Sequence, residues 1–154
     1  MKRQAHDASR KPARRLSPGE YEILAEFRRS LRQFLQFSEQ EALRIGLTPR
    51  QHQALLAIHG FSRRAPVTIR LLSQFLGLRH HSVVGLVDRL EAQKLVRRSH
   101  GSPDRRTVQL QLTERGRDML DHLSAVHKNE LKRIAPHLEY LLQTLTVSSR
   151  RRNA

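Results

Sequence analysis

The sequence predicts a mainly α-helical domain with one small β-hairpin. Three observations carry this. Apolar residues recur at three- and four-residue steps through two long stretches, one near each end of the chain. Between them, two shorter helical patterns are broken by Gly77. The period then shortens to two over residues 107–112, where polar and apolar side chains alternate.

The first long helix is announced by Ser17-Pro18-Gly19-Glu20. Ser17 can cap, Pro18 suits the first helical position, and Glu20 stands where a capping box needs its acid. Leu24, Phe27, Leu31, Phe34 and Leu35 form one face, and Gly46 can end the helix near Ile45. The start signal repeats at Thr48-Pro49-Arg50-Gln51, opening a helix with Ala54, Leu55 and Ile58 inward that ends near His59-Gly60. Residues 61–66 read as a basic loop. Val67-Thr68-Ile69 is too short for more than one small strand or a helix lead-in. A short helix over 69–76 stops at Gly77, and a second over 81–92 brings Val83, Val84, Leu86, Val87 and Leu90 into helical register.

Two short helices joined by a glycine turn, the second basic at its start, form the pattern of a helix-turn-helix. Strand-like segments follow at 95–98 and 107–112, separated by a Gly-Ser-Pro-Asp turn with a basic tip. A hairpin directly behind a helix-turn-helix is a wing. Thr113 opens the last long helix, expected to reach about Leu145, with Leu120, Ser124, His127, Leu131, Ile134, Leu138, Leu141 and Leu145 alternating steps of four and three. Pro136 is expected to kink or shift it near 132–136.

The layout is therefore a basic flexible arm over 1–16, one domain over 17–146, and a basic tail over 147–154. Flanking dimerisation helices over 17–46 and 113–146 enclose a winged helix-turn-helix at 48–112. So small a lobe cannot bury both long apolar stripes alone, which implies a homodimer. Its seam is expected from Leu24, Phe27, Leu31, Leu120, His127, Leu131, Ile134, Leu138 and Leu141, with His127 a polar break that sets register.

Charge narrows the function. The 154 residues hold 29 Lys+Arg against 14 Asp+Glu, a formal net charge of +15. Residues 61–115 hold eleven basic residues against Asp88, Glu91, Asp104 and Glu114. The default partner of such a surface is a polyanion, most often nucleic acid. The chain has no cysteine, which excludes disulfides, Cys-ligated zinc and thiol chemistry. No apolar run approaches the ~20 residues that span a bilayer, and the basic N-terminus has no apolar stretch behind it, so no membrane partner and a cytoplasmic location are expected. There is no phosphate-binding glycine loop, no H-E-x-x-H and no G-x-S-x-G, so no catalytic residues, no enzyme activity and no cofactor are expected.

Nine histidines raise the question of a metal. His52 and His59 lie ~10 Å apart along a helix, and the adjacent His80 and His81 point ~100° apart. Asp118 and His122 make half a site at best. No metal is expected.

A recognition helix offers its N-terminal residues to base edges in the major groove. Here these are Arg79, His80, His81 and Ser82, with Val84 able to meet a thymine methyl. Arg105 and Arg106 at the wing tip suit a narrow minor groove, and Asp104 turns the loop and orients one of them. Arg63, Arg64, Arg70, Arg97 and Arg98 are candidates for phosphate contacts. The competing readings are a non-specific nucleic-acid packaging or RNA-binding protein and a metal-responsive regulator on the same fold. An RNA-binding module would show exposed aromatics for stacking, and the five Phe and two Tyr fall mostly on helix core faces.

Residues from about 48 to 116 resemble the winged helix-turn-helix of the multiple-antibiotic-resistance regulator (MarR) family. Asp104-Arg105-Arg106, Leu112-Thr113 and Gly116 match its pattern D-x-R-x5-L-T-x2-G at every specified position. Val87-Asp88-Arg89-Leu90-Glu91 and Leu95-Val96 match the end of the recognition helix and the strand after it. Two positions depart. Gly85 stands where many members have a basic residue, and Lys94 stands where they often have Gly, which implies a strained Lys backbone at a cost of ~1 kcal/mol. The resemblance implies a homodimeric regulator of transcription, a double-stranded DNA operator of inverted half-sites, and often a small phenolic or aromatic-acid effector that releases a repressor. The effector is expected between the dimer helices and the DNA-binding lobe.

Overall fold

The computed structural model describes residues 15–100 and 108–150. In chain order the elements are α1 (Pro18–Arg44), α2 (Pro49–Phe61), α3 (Ile69–Leu76), α4 (His80–Ala92), β1 (Val96–His100), β2 (Val108–Leu112) and α5 (Glu114–Arg150).

Local chemistry sets most of these boundaries. The Glu20 amide donates to Ser17 Oγ at 3.3 Å, and the Ser17 amide donates to Glu20 Oε2 at 2.7 Å. Thr48 and Gln51 repeat the exchange at 3.2 and 2.9 Å. Both capping boxes are therefore complete, each behind a Pro at the helix start. Thr68 caps α3 by accepting from the Leu71 amide at 3.2 Å. Gly77 ends it at φ +61, where a side chain would be strained. Residues 67–69 are thus a helix lead-in, although the Val67 carbonyl also accepts the Leu110 amide at 2.7 Å.

The hairpin pairs Val96 with Leu112 through His100 with Val108, antiparallel, so both strands begin or end a residue or two from where periodicity puts them. Lys94 has φ +59 and takes the chain from α4 into β1. The expected backbone strain at this position is present. Thr113 has two tasks. Its Oγ donates to the Lys94 carbonyl at 2.7 Å and accepts the Gly116 amide at 3.0 Å, capping α5. A Cβ at Gly116 would stand 2.0 Å from the Leu95 carbonyl oxygen, so only glycine lets α5 pass this close to the turn. The Leu-Thr-x-x-Gly pattern thereby acquires a physical reason.

The core joins α2, α3, α4 and the hairpin through Leu55, Ile58, Leu72, Val83, Val87, Leu90, Leu95, Val96 and Leu110, with Leu120 and Leu123 reaching in from α5. α1 and α5 pack along each other above this lobe. One expectation about α5, the position of its end, is corrected. It runs to Arg150 rather than stopping near Leu145, because no Gly or Pro stands between His137 and Arg150. It also continues unbroken through Pro136, which withholds one N–H from the helix ladder without ending the element.

The expected seam divides into two. Leu120, His127 and Leu141 are buried within the single chain, facing its own core and α1. They are not exposed seam positions, because α5 has a second apolar face that its own chain covers. Leu24, Leu31 and Leu131 are exposed, at 37%, 40% and 45%, and Phe27, Ile134 and Leu138 are half-buried.

Candidate nucleic-acid interface

Helix α4 has two faces with different tasks. Val83, Leu86, Val87 and Leu90 are buried and anchor it to α2, α3 and the hairpin. Arg79, His80, His81 and Ser82 at its start are exposed, and Val84 is half-buried. Arg79 is the N-cap residue, yet its side chain makes no capping bond. The helix N-terminus therefore presents amide donors and the positive end of its dipole beside Arg79 and two histidines. Such an end suits phosphate oxygens and base acceptors.

The setting reinforces this. Between Glu41 and Asp88 the sequence contains no acidic residue. Arg50, Arg63, Arg64, Arg70 and Arg79 lie in that interval and are all exposed. Arg64 lies over the Phe61 ring at 5.8 Å, and Phe61 stacks on Phe75 at 3.9 Å, so the loop after α2 is held by an aromatic pair.

Two arginines among the phosphate candidates are already engaged. Arg97 donates to Gln111 Oε1 across the hairpin at 2.9 and 3.2 Å, and remains exposed. Arg98 is a correction. Its guanidinium pairs with Asp88 at 2.5 Å and with Glu91, and its own amide donates to Glu91 Oε1 at 3.1 Å. Burial works against its charge, but the hydrogen bonds to Asp88 and Glu91 raise its pKa overall. Arg98 therefore ties the wing to the recognition helix and does not offer a free cation. Asp104, Arg105 and Arg106 lie outside the described residues.

Arg50 and Arg89 escaped the sequence reading. They border a hollow of about 620 Å³ beside α4, lined also by Thr48, Leu78, Ser82 and Leu86. A Cβ at Gly85 would lie 3.6 Å from Arg89 Nη1, so the Arg89 guanidinium lies over the space that a side chain at 85 would take. The available signal was the i,i+4 spacing of 85 and 89.

At the junction of α2 with the α1–α5 pair, where an effector is expected, Phe34, Phe37, His52 and His127 lie against one another. A hollow of about 260 Å³ lies further along α1 and α5, lined by Ser30, Gln33, Phe34, Ile134 and two ion-paired arginines, Arg29 and Arg133. Among the described residues no group of three or more His, Asp or Glu side chains could hold a metal ion.

Comparison with known proteins follows this geometry. A MarR family model matches residues 45–107. The HTH-type transcriptional repressor MdtR of Bacillus subtilis (strain 168) is 24% identical over 135 residues, which is 84% of this chain and 85% of that one. Among solved structures, the S. aureus MepR F27L mutant bound to an oligodeoxyribonucleotide aligns with a TM-score of 0.62 at 19% identity, over 86% of this chain and 96% of that one. CouR from Rhodococcus jostii RHA1, bound to p-coumaroyl-CoA, aligns with a TM-score of 0.64 at 24% identity, over 84% and 95%.

Proposed function

For this chain, which belongs to the MarR family of transcriptional regulators, we propose a homodimer that reads an inverted-repeat operator in double-stranded DNA. It acts in the cytoplasm as a repressor, and a small phenolic or aromatic acid releases it. The observation that carries this reading is the start of α4. Its apolar face is anchored in the core while Arg79, His80, His81 and Ser82 stand clear, in a stretch of sequence that holds no acidic residue between Glu41 and Asp88. The repressor MdtR and the DNA-bound MepR support the direction, and the acyl group of the CouR ligand supports the effector class. The role is binding rather than catalysis.

Wing and helix divide the labour. The major groove shows each base pair a distinct donor and acceptor pattern, whereas the minor groove separates little beyond A·T from G·C. Arg79, His80 and His81 therefore supply sequence choice, with Val84 against thymine methyls. Arg105 and Arg106, oriented by Asp104, supply affinity. Arg63, Arg64, Arg70 and Arg97 contact phosphates, and Arg98 holds the wing at its angle to α4. Leu24, Leu31 and Leu131, flanked by Phe27, Ile134 and Leu138, meet a second copy.

The test is fluorescence anisotropy with a duplex selected from a random pool and a scrambled control. Arg79→Ala or His81→Ala should lose ~1–3 kcal/mol on the selected duplex and little on the control. Arg106→Ala should weaken both and lower the slope of log affinity against log salt by roughly 1 per subunit if it neutralises a phosphate. Equal weakening of both duplexes by the α4 variants would instead favour a non-specific packaging protein.

A further inference from the structure

Two buried histidines stand outside the DNA-binding face and take no part in the reading above. His52 on α2 and His127 on α5 are 5% and 8% exposed. Their rings lie 4.8 Å apart, and the edges of Phe34 and Phe37 from α1 close the pocket around His127. The Nε2 atoms of both are buried without a hydrogen-bond partner among the described residues. A core that needed only volume here would carry Leu or Phe, since a buried unpaired polar atom costs ~1–3 kcal/mol. The position also matters. α2 belongs to the lobe that carries α4, whereas α1 and α5 form the long helical pair. Both histidines sit where these two parts meet.

We propose that His52 and His127 form a buried proton-binding site at this junction, and that proton uptake there loosens the lobe from the α1–α5 pair. Each ring is neutral while the junction is closed. His127 hydrogen-bonds to the Ser38 backbone, and its Nε2 is left bare. A proton arriving at either Nε2 makes a cation with no acceptor in reach, next to a second imidazole. The facing groups are few. From α1, Glu41 favours charge on His127; from α2 and α5, each histidine faces the other, and His127 disfavours charge on His52. Burial, then the neighbouring His127, pushes His52 down to about 4. Burial also lowers His127, against the pull of the Ser38 bond and Glu41.

The sign follows from linkage. Once the junction opens, an imidazole titrates near ~6.5. The closed state is fully favoured above that value and loses ground as pH falls toward the closed-state value. Between pH 7.5 and pH 5.5, proton uptake by His52 alone raises the open population about tenfold. His127 acts in the same direction. Acid should therefore loosen the DNA-binding lobe.

The experiment uses the full chain. NMR titration of the ring resonances should find His52 still mostly neutral at pH 5; a His52 that titrates near 6.5 in the folded protein overturns the proposal. Amide hydrogen exchange in α2, corrected for the intrinsic effect of pH, should accelerate about tenfold between pH 7.5 and 5.5. In His52→Leu most of that acceleration should vanish, and an equal acceleration in the variant also overturns the proposal. Should His52→Leu fail to fold, the NMR titration of the unaltered protein decides. One further arm rests on the DNA-binding reading. With His80→Ala and His81→Ala together, residual operator affinity should fall between pH 7.5 and 5.5, and a rise or no change counts against coupling to DNA. Absence of DNA binding at every pH would overturn that reading and not the proton site, which the NMR and exchange data judge separately.

Discussion

The lobe from α2 to β2 covers most of its apolar side chains with one another, Leu56 and Phe75 excepted, whereas α1 and α5 leave many of theirs at the surface. Leu55, Leu72, Val83, Leu90 and Leu110 are all buried. Leu24, Leu31, Leu35, Leu43, Leu131, Tyr140 and Leu142 are exposed. The two regions differ in shape rather than in apolar content. Short helices joined by tight turns can surround one another, and the hairpin closes the remaining side. Two long helices side by side can cover only the faces they turn toward each other and the lobe. Leu24, Leu31 and Leu35 share one face of α1, and Leu131 and Leu142 one face of α5, and exposed apolar rows of this kind mark an interaction site. The lobe buries its core within one chain; the helical pair leaves apolar rows that the single chain does not cover.

The largest expected effect lies where the two regions join. Gly116→Ala places a Cβ on the Leu95 carbonyl and should cost on the order of 4 kcal/mol. Gly60→Ala, with nothing within 4 Å of the new Cβ, should stabilise α2 by about 0.5–1 kcal/mol. Chemical denaturation of both variants checks the contrast, and similar losses at the two glycines would dissolve it.

Within each region a leucine should report differently. Leu90→Ala removes a fully buried side chain and should cost about 2–5 kcal/mol in the same assay. Leu131→Glu should leave the lobe folded and weaken self-association by about 3 kcal/mol, a factor of roughly 100 in dissociation constant. Analytical sedimentation at micromolar concentration measures this, and an unchanged mass for the variant would place the partner surface elsewhere. The smallest effect is at Lys94. Replacing it by glycine at φ +59 should gain up to about 1 kcal/mol of stability, read from the denaturation midpoint. No gain would mean that the turn is held as comfortably with lysine.

Much of the fold was legible because its signals are local. Ser17 with Glu20, Thr48 with Gln51, and Gly77 each satisfy or release backbone groups within four residues, so spacing alone exposes them. The strain at Lys94 was legible for a similar reason, since a lysine in a glycine's place must adopt the glycine's backbone. The start of α4 was read almost correctly, one residue later than its position at His80. By contrast, Arg98 looked like any arginine on a basic strand. Its partners Asp88 and Glu91 stand on a helix that must first turn at Lys94 before the guanidinium can reach them, and no spacing rule encodes that reach. Arg50 and Arg89 passed unnoticed because only the packing of α2 beside α4 makes them neighbours.

By itself, the sequence determined the element order, the caps, the glycine turns and the positive charge that limits the partners. These depend on residues close in the chain or on totals that folding leaves unchanged. Only the tertiary structure decided which way each apolar position on α5 faces. Leu120, His127, Leu131 and Leu141 share one helical stripe in sequence, yet a helix packed between α1 and α2 buries the first two and the last within its own chain and leaves Leu131 outside. Periodicity records that a side chain is apolar and in register. It carries no information on whether the surface covering that side chain belongs to the same molecule, because contacts between residues distant in sequence make that choice.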